Sequence, residues 1–375
     1  MKDRLLYMDN IRVFLISYVI AGHVSVAYGA IGRGNWYYIE PASDMHTKAA
    51  LYLFDMFAYS FLMAMFIFIS GYFTPASLEK KGLLRFLKER TFRLMIPLLF
   101  YYFLIGPIVR FISMKAKGEA DGFFSFLSGM YQSGVYGYMG VMWFVALILF
   151  FSFLYAGYKR IFPKELIRLN SGAFPKDLSI LIFVLAFGLL SFLSRIILPM
   201  GGGYLAARPL ASMVLFATSF FLGTLAWKYQ WPENLSMQQA KRWFYLALVF
   251  MIAPLILFLI MRKNVSFATI KGSGTIASLI YSYWEVIKVV GTGMMAIVLF
   301  RDYINKQGRL AAGMGRSAFA AYVLHPLVCV IVMFLMADVN WHPLLKFSLV
   351  APVSLILTFC VSWLFVKIPG INRVF

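Results

Sequence analysis

Two ionisable side chains, Arg12 and His23, lie within the first long apolar stretch, which reads MDNIRVFLISYVIAGHVSVAYGA from Met8 to Ala30. Ionisable groups are expensive inside a bilayer, so they are usually buried in protein and usually functional. In a helix their spacing places both side chains on one face, about 16 Å apart along the axis. Asp9 lies near the same face and is spaced to pair with Arg12. The stretch therefore predicts a cation near one membrane surface and an imidazole deep in the membrane, as an enzyme that moves a group across the bilayer would require.

The composition is that of an integral membrane protein. The 375 residues are 62% hydrophobic and 13% charged, and the apolar residues form runs long enough to span a bilayer. The net charge of +20 fits Lys and Arg gathered in cytoplasmic loops, and no basic block stands apart from an apolar run, which argues against nucleic-acid binding. Cys329 and Cys360 fall inside apolar runs without ligand-type spacing, so we expect neither a disulfide framework nor a metal site.

The pattern of apolar runs predicts an all-α, polytopic membrane bundle of about ten helices. The approximate limits are residues 9–30, 50–73, 93–112, 137–158, 178–198, 208–228, 243–261, 276–300, 317–336 and 344–366. No linker separates a soluble part, which predicts a single transmembrane domain over residues 1–375. Both termini are expected in the cytoplasm, because most Lys and Arg residues then fall on the inner side, with Arg195 among the ten counted on the outer side.

Several polar side chains converge on the outer half of this predicted bundle. Glu285, in the eighth helix, reaches a depth similar to that of His23, while Asp55 and Trp143 enter from the outer ends of the second and fourth helices. A histidine oriented by a carboxylate is a workable general base, which makes His23 and Glu285 a candidate catalytic pair. The alternatives are an ion pair between Glu285 and Lys288, three residues on, and a solvated position for Asp55.

The inner side carries the densest basic cluster of the chain, just before the third helix. It comprises Lys80, Lys81, Arg85, Lys88, Arg90 and Arg93. Arginine offers forked hydrogen-bond donors to phosphate oxygens, so this rim suits a phosphate-bearing donor molecule. The alternatives are that the basic loop only sets the membrane topology and that Arg12 is a snorkelling anchor at the inner surface.

Four stretches, taken together, resemble the membrane acyltransferase 3 family. MDNIRVFLISYVIAGH (8–23) is similar to the Arg-x10-His signature of that family, and GRSAFAAYVLHPLV (315–328) is similar to its late Ser…Tyr-x-x-His element. FIFISGYFTPASLEKKGLLRFLKERTFRLMIPLLF (66–100) resembles the second and third spans, including the Arg-x-x-Arg pair before Pro97. MWFVALILF (142–150) adds a matching Trp-Phe element. The stretches lie in the order expected for the family.

The resemblance implies transfer of an acyl group from cytosolic acyl-CoA to a hydroxyl on an extracytoplasmic glycan, in the cytoplasmic (inner) membrane of a bacterium. The essential arginine and histidine of the family fall on Arg12 and His23, and its basic pair falls on Arg90 and Arg93. Where the family commonly shows Asp-Gly-Leu-Arg-Gly, this chain has Asp9-Asn10-Ile11-Arg12-Val13. This variant is more similar to the glucan biosynthesis protein C branch, of the succinyltransferase type, so the donor expected is acetyl-CoA or succinyl-CoA.

The resemblance also suggests roles for other residues. Tyr322 and His325 share a helix face and are candidates to line the acyl-CoA channel, with a packing role as the alternative. The pantetheine arm would rise along the Asp9 side of the first helix, and Asp55 and Trp143 are candidates for the acceptor side. Ser317 is interpreted as the N-cap of the ninth helix.

Two other functions remain open from the sequence. One is a proton-coupled secondary transporter, with His23 and Glu285 as a proton relay. The inverted repeats and paired broken helices that this function favours are not evident in the sequence. The other is a glycan flippase, which accounts for the membrane helices but not for an arginine and a histidine aligned on one face.

Overall fold

A computed structural model of the chain describes residues 5–29, 40, 44–162, 173–198, 212–260 and 274–375. Within these ranges the regular elements are all helical, and no β-strand is present. Eight of the described helices are long and apolar enough to cross a membrane. Apolar side chains such as Leu181, Leu185 and Leu189 are exposed along one side of such a helix, as expected for contact with lipid. The all-α, polytopic membrane fold predicted from the sequence is confirmed.

The described helices are numbered here in chain order. They are α1 (Leu6–Tyr28), α2 (Met45–Lys81), α3 (Leu83–Phe100), α4 (Gly106–Ala116), α5 (Phe123–Gln132), α6 (Trp143–Ile161), α7 (Asp177–Ile197), α8 (Met213–Lys228), α9 (Trp231–Asn234), α10 (Met237–Ile260), α11 (Ile276–Tyr303), α12 (Arg309–Leu335) and α13 (Pro343–Phe365). A single π-helical turn, Tyr101–Ile105, joins α3 to α4.

The described part of each predicted span is helical, but the limits differ where polar residues continue a helix beyond its apolar part. The third span, expected at 93–112, covers the end of α3, the π-helical turn and most of α4. The second span, expected at 50–73, belongs to a helix of 37 residues. The short helix α5 lies in a region expected to be a loop. The expected start of the sixth span, at 208, lies outside the described residues. The number of membrane crossings and the sidedness of the termini stay predictions.

The start of α2 shows how local hydrogen bonding sets a helix end. Asp44 accepts hydrogen bonds from the backbone N–H and the hydroxyl of Thr47, at 2.9 and 2.6 Å. This is the usual geometry of an N-cap carboxylate, which satisfies amide groups that have no partner within the first turn. The hydrogen bonds from Thr47 lower the pKa of Asp44 to about 2.

The N-cap interpretation of Ser317 is wrong. The helix begins earlier, at Arg309, with Gly308 as its N-cap, so Ser317 lies inside α12. Its hydroxyl is buried and donates to the carbonyl of Gly313, one turn back. The apolar run starts near Ser317, whereas the helix includes the polar residues before it.

The chain divides into two compact units. Unit 1 contains Met1–Ile11, Ser60–Leu83 and Phe151–Asn305, and unit 2 contains Arg12–Tyr59, Leu84–Phe150 and Lys306–Phe375. In unit 1, α11 packs against α10 and α7, and Asp177 at the start of α7 accepts hydrogen bonds from Gln239 and Trp243 of α10. In unit 2, α12 packs against α13 and α4. The expectation of one domain over residues 1–375 remains a prediction.

The π-helical turn in unit 2 redirects one backbone carbonyl. In this turn the N–H of Gly106 donates to the carbonyl of Tyr101, five residues back. The next carbonyl in the same register, that of Tyr102, faces Pro107, which has no N–H to donate. The carbonyl of Tyr102 accepts instead from the N–H of Tyr138, at 3.1 Å. The segment before α6 is thereby fixed to the turn.

Two glycines permit this close approach. A Cβ atom on Gly106 would lie 2.5 Å from the carbonyl oxygen of Tyr138, and one on Gly137 would lie 2.4 Å from the carbonyl oxygen of Tyr102. Any side chain at either position would push the two backbone segments apart. The segment carries Val141 just beyond, whose carbonyl contributes to the site described next.

Candidate active site

Eight of the ten candidate residues lie in unit 2, and the other two, Asp9 and Glu285, lie in unit 1. The eight come from α1, α2, α3, α6 and α12, which are far apart in the sequence. They are Arg12, His23, Asp55, Arg90, Arg93, Trp143, Tyr322 and His325. Five of them form two groups near the two ends of α1.

The first group is the arginine cluster, made of Arg12, Arg90 and Arg93. Arg12 and Arg93 both lie close enough to Arg90 to repel its guanidinium electrostatically. The guanidinium of Arg90 lies over the ring of buried Phe86, with its central carbon 5.5 Å from the ring centroid. Gathering three like charges costs free energy, and a ligand with several phosphate charges would offset that cost.

The second group is the histidine pair, made of His23 on α1 and His325 on α12. Their rings are stacked, with centroids 5.3 Å apart and planes 16° from parallel. His23 is partly exposed, whereas His325 is fully buried. The sequence places the two residues about three hundred positions apart and gives no sign that they meet.

The late Tyr-x-x-His element is held by hydrogen bonds at both of its residues. The hydroxyl of Tyr322 donates to the carbonyl of Val141 in a short hydrogen bond, and Nδ1 of His325 lies 2.7 Å from the carbonyl oxygen of Tyr322. The ring of Tyr322 also packs against Phe144, with centroids 5.5 Å apart. Tyr322 and His325 therefore belong to the same site as His23.

Asp55 lies beside α1, near Gly22, the residue that precedes His23 in the chain. Its Oδ1 is 3.9 Å from the position that a Cβ on Gly22 would take. The neighbouring Phe54 stacks on Tyr18 at 4.8 Å and accepts a hydrogen bond from its hydroxyl at 2.7 Å. Asp55 is only 5% exposed, so the solvated position considered for it is wrong.

Trp143 begins α6 and is partly exposed. It makes an edge contact with Phe144, the residue that packs on Tyr322. The Trp-Phe element is thus adjacent to the Tyr-x-x-His element in the fold. The predicted role of Trp143 in acceptor binding stays a prediction.

Glu285 forms a fully buried ion pair with Arg195 of α7. Arg195 also donates to the hydroxyl of Ser282, at 2.9 Å, and lies over the ring of Tyr281. The ammonium of Lys288, considered as the partner of Glu285, lies 3.9 Å from the ring centroid of Trp284. The predicted orienting role of Glu285 toward His23 stays a prediction.

Arg195 lies in α7, within the fifth span expected at 178–198, and its side chain is 1% exposed and bound within unit 1. Its predicted place on the outer side of the membrane stays a prediction. An arginine within an apolar helix is costly unless a buried group pairs with it. The position of Arg195 in the sequence therefore indicates that it has a buried partner, although it does not identify Glu285.

Asp9 is buried in unit 1, at 8% exposure. The next residue, Asn10, donates from its side-chain amide to the carbonyl of Ile304 at the end of α11. Pairing of Asp9 with Arg12 stays a prediction. Among the described residues, no group of three or more His, Cys, Asp or Glu side chains is arranged to hold a metal ion.

Comparison with protein families decides the broad class of this site. A family model described as an acyltransferase domain, that of acyltransferase family 3, matches residues 5–367. The chain belongs to this acyltransferase 3 family. With its membrane-spanning helices, it is a membrane acyltransferase. No curated protein and no solved structure matches the chain. The resemblance to the glucan biosynthesis protein C branch of the acyltransferase 3 family remains a prediction.

Proposed function

We propose that this membrane acyltransferase moves an acetyl or succinyl group from cytosolic acyl-CoA to a hydroxyl of an extracytoplasmic glycan or related acceptor. The observation that supports this most directly is the arrangement along α1. The arginine cluster lies near one end of the helix, and the histidine pair lies about 16 Å away near the other. A donor with phosphates at one end and a thioester at the other matches that separation of charge and imidazole.

The arginine cluster would bind the phosphate groups of the donor. Guanidinium groups form charge-assisted, forked hydrogen bonds with phosphate oxygens, and three of them tolerate the high negative charge of the coenzyme. Tyr322, which lies beside the histidine pair in unit 2, would border the path of the pantetheine arm. A cytoplasmic-membrane location follows if the arginine cluster faces the cytosol, as the loop charges predict.

The histidine pair would carry the proton transfer. An imidazole takes the proton from the acceptor hydroxyl as its oxygen attacks the thioester carbonyl, and the thiol of coenzyme A leaves. Asp55 and Trp143 would bind the acceptor next to the pair, since a carboxylate and an indole ring are suited to sugar hydroxyls and sugar faces. The acceptor would reach the pair from the side opposite the arginine cluster.

Replacement of His23 tests the proposed function. We expect His23→Ala in nanodiscs to lose acyl transfer at least about 100-fold, because it removes one imidazole and uncovers the other. The measurement is release of free coenzyme A thiol from acetyl-CoA or succinyl-CoA with a β-glucan oligosaccharide, with mass analysis of the oligosaccharide. His46→Ala replaces an exposed histidine outside the site and should retain wild-type activity.

Two results would contradict the proposal. One is full activity of His23→Ala. The other is a wild-type protein that consumes no acyl-CoA but takes up substrate along a proton gradient, which would favour a transporter. Mass analysis of envelope glycans from cells with and without the gene identifies the acceptor independently.

A further inference from the structure

Nε2 of His325 is buried and has no hydrogen-bond partner among the described residues. His325 itself has no exposed surface. A buried polar atom without a partner lowers stability, so such atoms are rare in folded proteins and call for an explanation. A substrate group is one such explanation when the atom lies in an active site.

The proton on the other nitrogen of His325 is fixed by a proline. Pro326 has no N–H, so it cannot donate to the carbonyl of Tyr322, four residues earlier in α12. That carbonyl faces Nδ1 of His325 instead, at 2.7 Å. A carbonyl oxygen only accepts hydrogen bonds, so Nδ1 carries the proton, and Nε2 of the neutral ring presents a lone pair.

The stacked ring of His23 restricts the charge that the pair can hold. With centroids 5.3 Å apart, two imidazolium rings would repel each other strongly in a buried setting. The pair therefore accepts one proton at a time. His325 has a fixed tautomer and a free lone pair, which are the features of a base held ready to react.

We propose that Nε2 of His325 is the atom that accepts the proton from the acceptor hydroxyl, which makes His325 the catalytic base. The hydroxyl oxygen bonds to the thioester carbonyl carbon, the carbon–sulfur bond breaks, and the leaving thiolate takes the proton back from Nε2. The products are the ester and coenzyme A thiol, with His325 neutral again. His23 covers one face of the base. This inference rests on the proposed acyl transfer, and it gives His325 a role other than lining the donor channel.

The test is His325→Asn in nanodiscs. The asparagine amide can still donate to the carbonyl of Tyr322, but it has no lone-pair nitrogen that takes up a proton. We expect kcat to fall about 100- to 10,000-fold with KM for acetyl-CoA or succinyl-CoA unchanged within about twofold. The fall in wild-type kcat at low pH, where the base is protonated, should be absent from the residual activity of the variant. His23→Asn should keep that low-pH fall, because His325 remains.

A matched control and a rescue exclude a loss of fold. Cys329→Ala truncates another fully buried side chain one turn along α12 and should keep wild-type kcat. For His325→Ala, added imidazole should restore part of kcat if the missing group is a base. Calorimetric binding of acetyl-CoA shows whether each variant retains the donor site.

The outcomes separate this inference from the proposed function. Full kcat in His325→Asn, or a change only in KM for the donor, would overturn the assignment of the base and leave acyl transfer intact. Absence of imidazole rescue in a His325→Ala variant that still binds acetyl-CoA would also count against it. Absence of acyl transfer in the wild-type protein would overturn the proposed function itself.

Discussion

The arginine cluster shows that the sequence can mark individual candidate residues but cannot show which of them lie close together. The basic density before α3 and the spacing of Arg12 and His23 mark candidates from the sequence alone. The nearness of Arg12 to Arg90 joins residues 78 positions apart and depends on where the fold places their two helices. An anchor that only snorkels to the membrane surface would have no reason to approach another guanidinium group.

We predict that Arg90→Gln and Arg93→Gln each raise KM for acetyl-CoA or succinyl-CoA about 10- to 100-fold, with kcat changed less than about threefold. A hydrogen bond to a charged group contributes about 1.5–3 kcal/mol, and the lost contact is made equally in the ground and transition states. Steady-state kinetics and calorimetric binding measure the effect. Comparing KM for each acyl-CoA with KM for its dephospho form identifies the arginine that contacts the 3′-phosphate. Replacement of that arginine should abolish the preference for the donor that carries the phosphate.

Arg85→Gln is the matched control, because Arg85 is exposed and pairs with Glu89 one turn on. It should leave KM within about twofold, since exposed pairs contribute little. An equal rise in KM for Arg85→Gln and Arg90→Gln would mean that the effect is only the loss of general positive charge.

At the scale of helices, the sequence predicts where the elements lie but not which pairs of elements exchange polar contacts. Hydropathy locates α7 and α11, yet the pairing of Arg195 with Glu285 joins residues 90 positions apart. The same holds for the histidine pair between α1 and α12. These contacts depend on helix rotation and tilt, which the apolar pattern leaves open when a helix is apolar on nearly every side.

We predict that Glu285→Gln destabilises the protein by about 3–5 kcal/mol, because it leaves the guanidinium of Arg195 buried without its counter-charge. The combined variant Arg195→Met/Glu285→Leu should recover much of that loss, since it removes both charges of the pair and leaves neither of them buried alone. Thermal unfolding in detergent, followed by tryptophan fluorescence, measures both. Glu89→Gln, in an exposed pair, should change the midpoint little.

The kinetic behaviour of Glu285→Gln tests the orienting role predicted for this residue. A folded variant with unchanged kcat would show that the ion pair is structural. A large fall in kcat below the unfolding temperature would support an effect on the histidine pair.

For the whole molecule, composition and apolar periodicity sufficed to predict the all-α membrane fold, and the family match confirms a membrane acyltransferase. The prediction that both termini face the cytoplasm rests on loop charge alone. We predict that a cysteine at Lys117 is labelled by a membrane-impermeant maleimide in intact cells, whereas one at Lys306 is labelled only after permeabilisation. Both positions are exposed. The reverse pattern would place the termini outside and the arginine cluster away from cytosolic acyl-CoA.

This labelling needs a background without the native cysteines, Cys329 and Cys360. Cys360 is exposed and would otherwise react. The cysteine-free parent should show wild-type acyl transfer before labelling is interpreted.

The carbonyls of Tyr102 and Tyr322 share one origin, since each faces a proline that has no proton to give it. One fastens the segment before α6 and the other orients His325. A design for higher thermostability that favours regular helices would replace Pro107 and Pro326 by alanine, because alanine restores the backbone N–H that proline lacks. The two carbonyls would then accept hydrogen bonds within the helices and lose their contacts with Tyr138 and His325. With His325 as the base proposed above, Pro326→Ala would stabilise α12 and lower kcat.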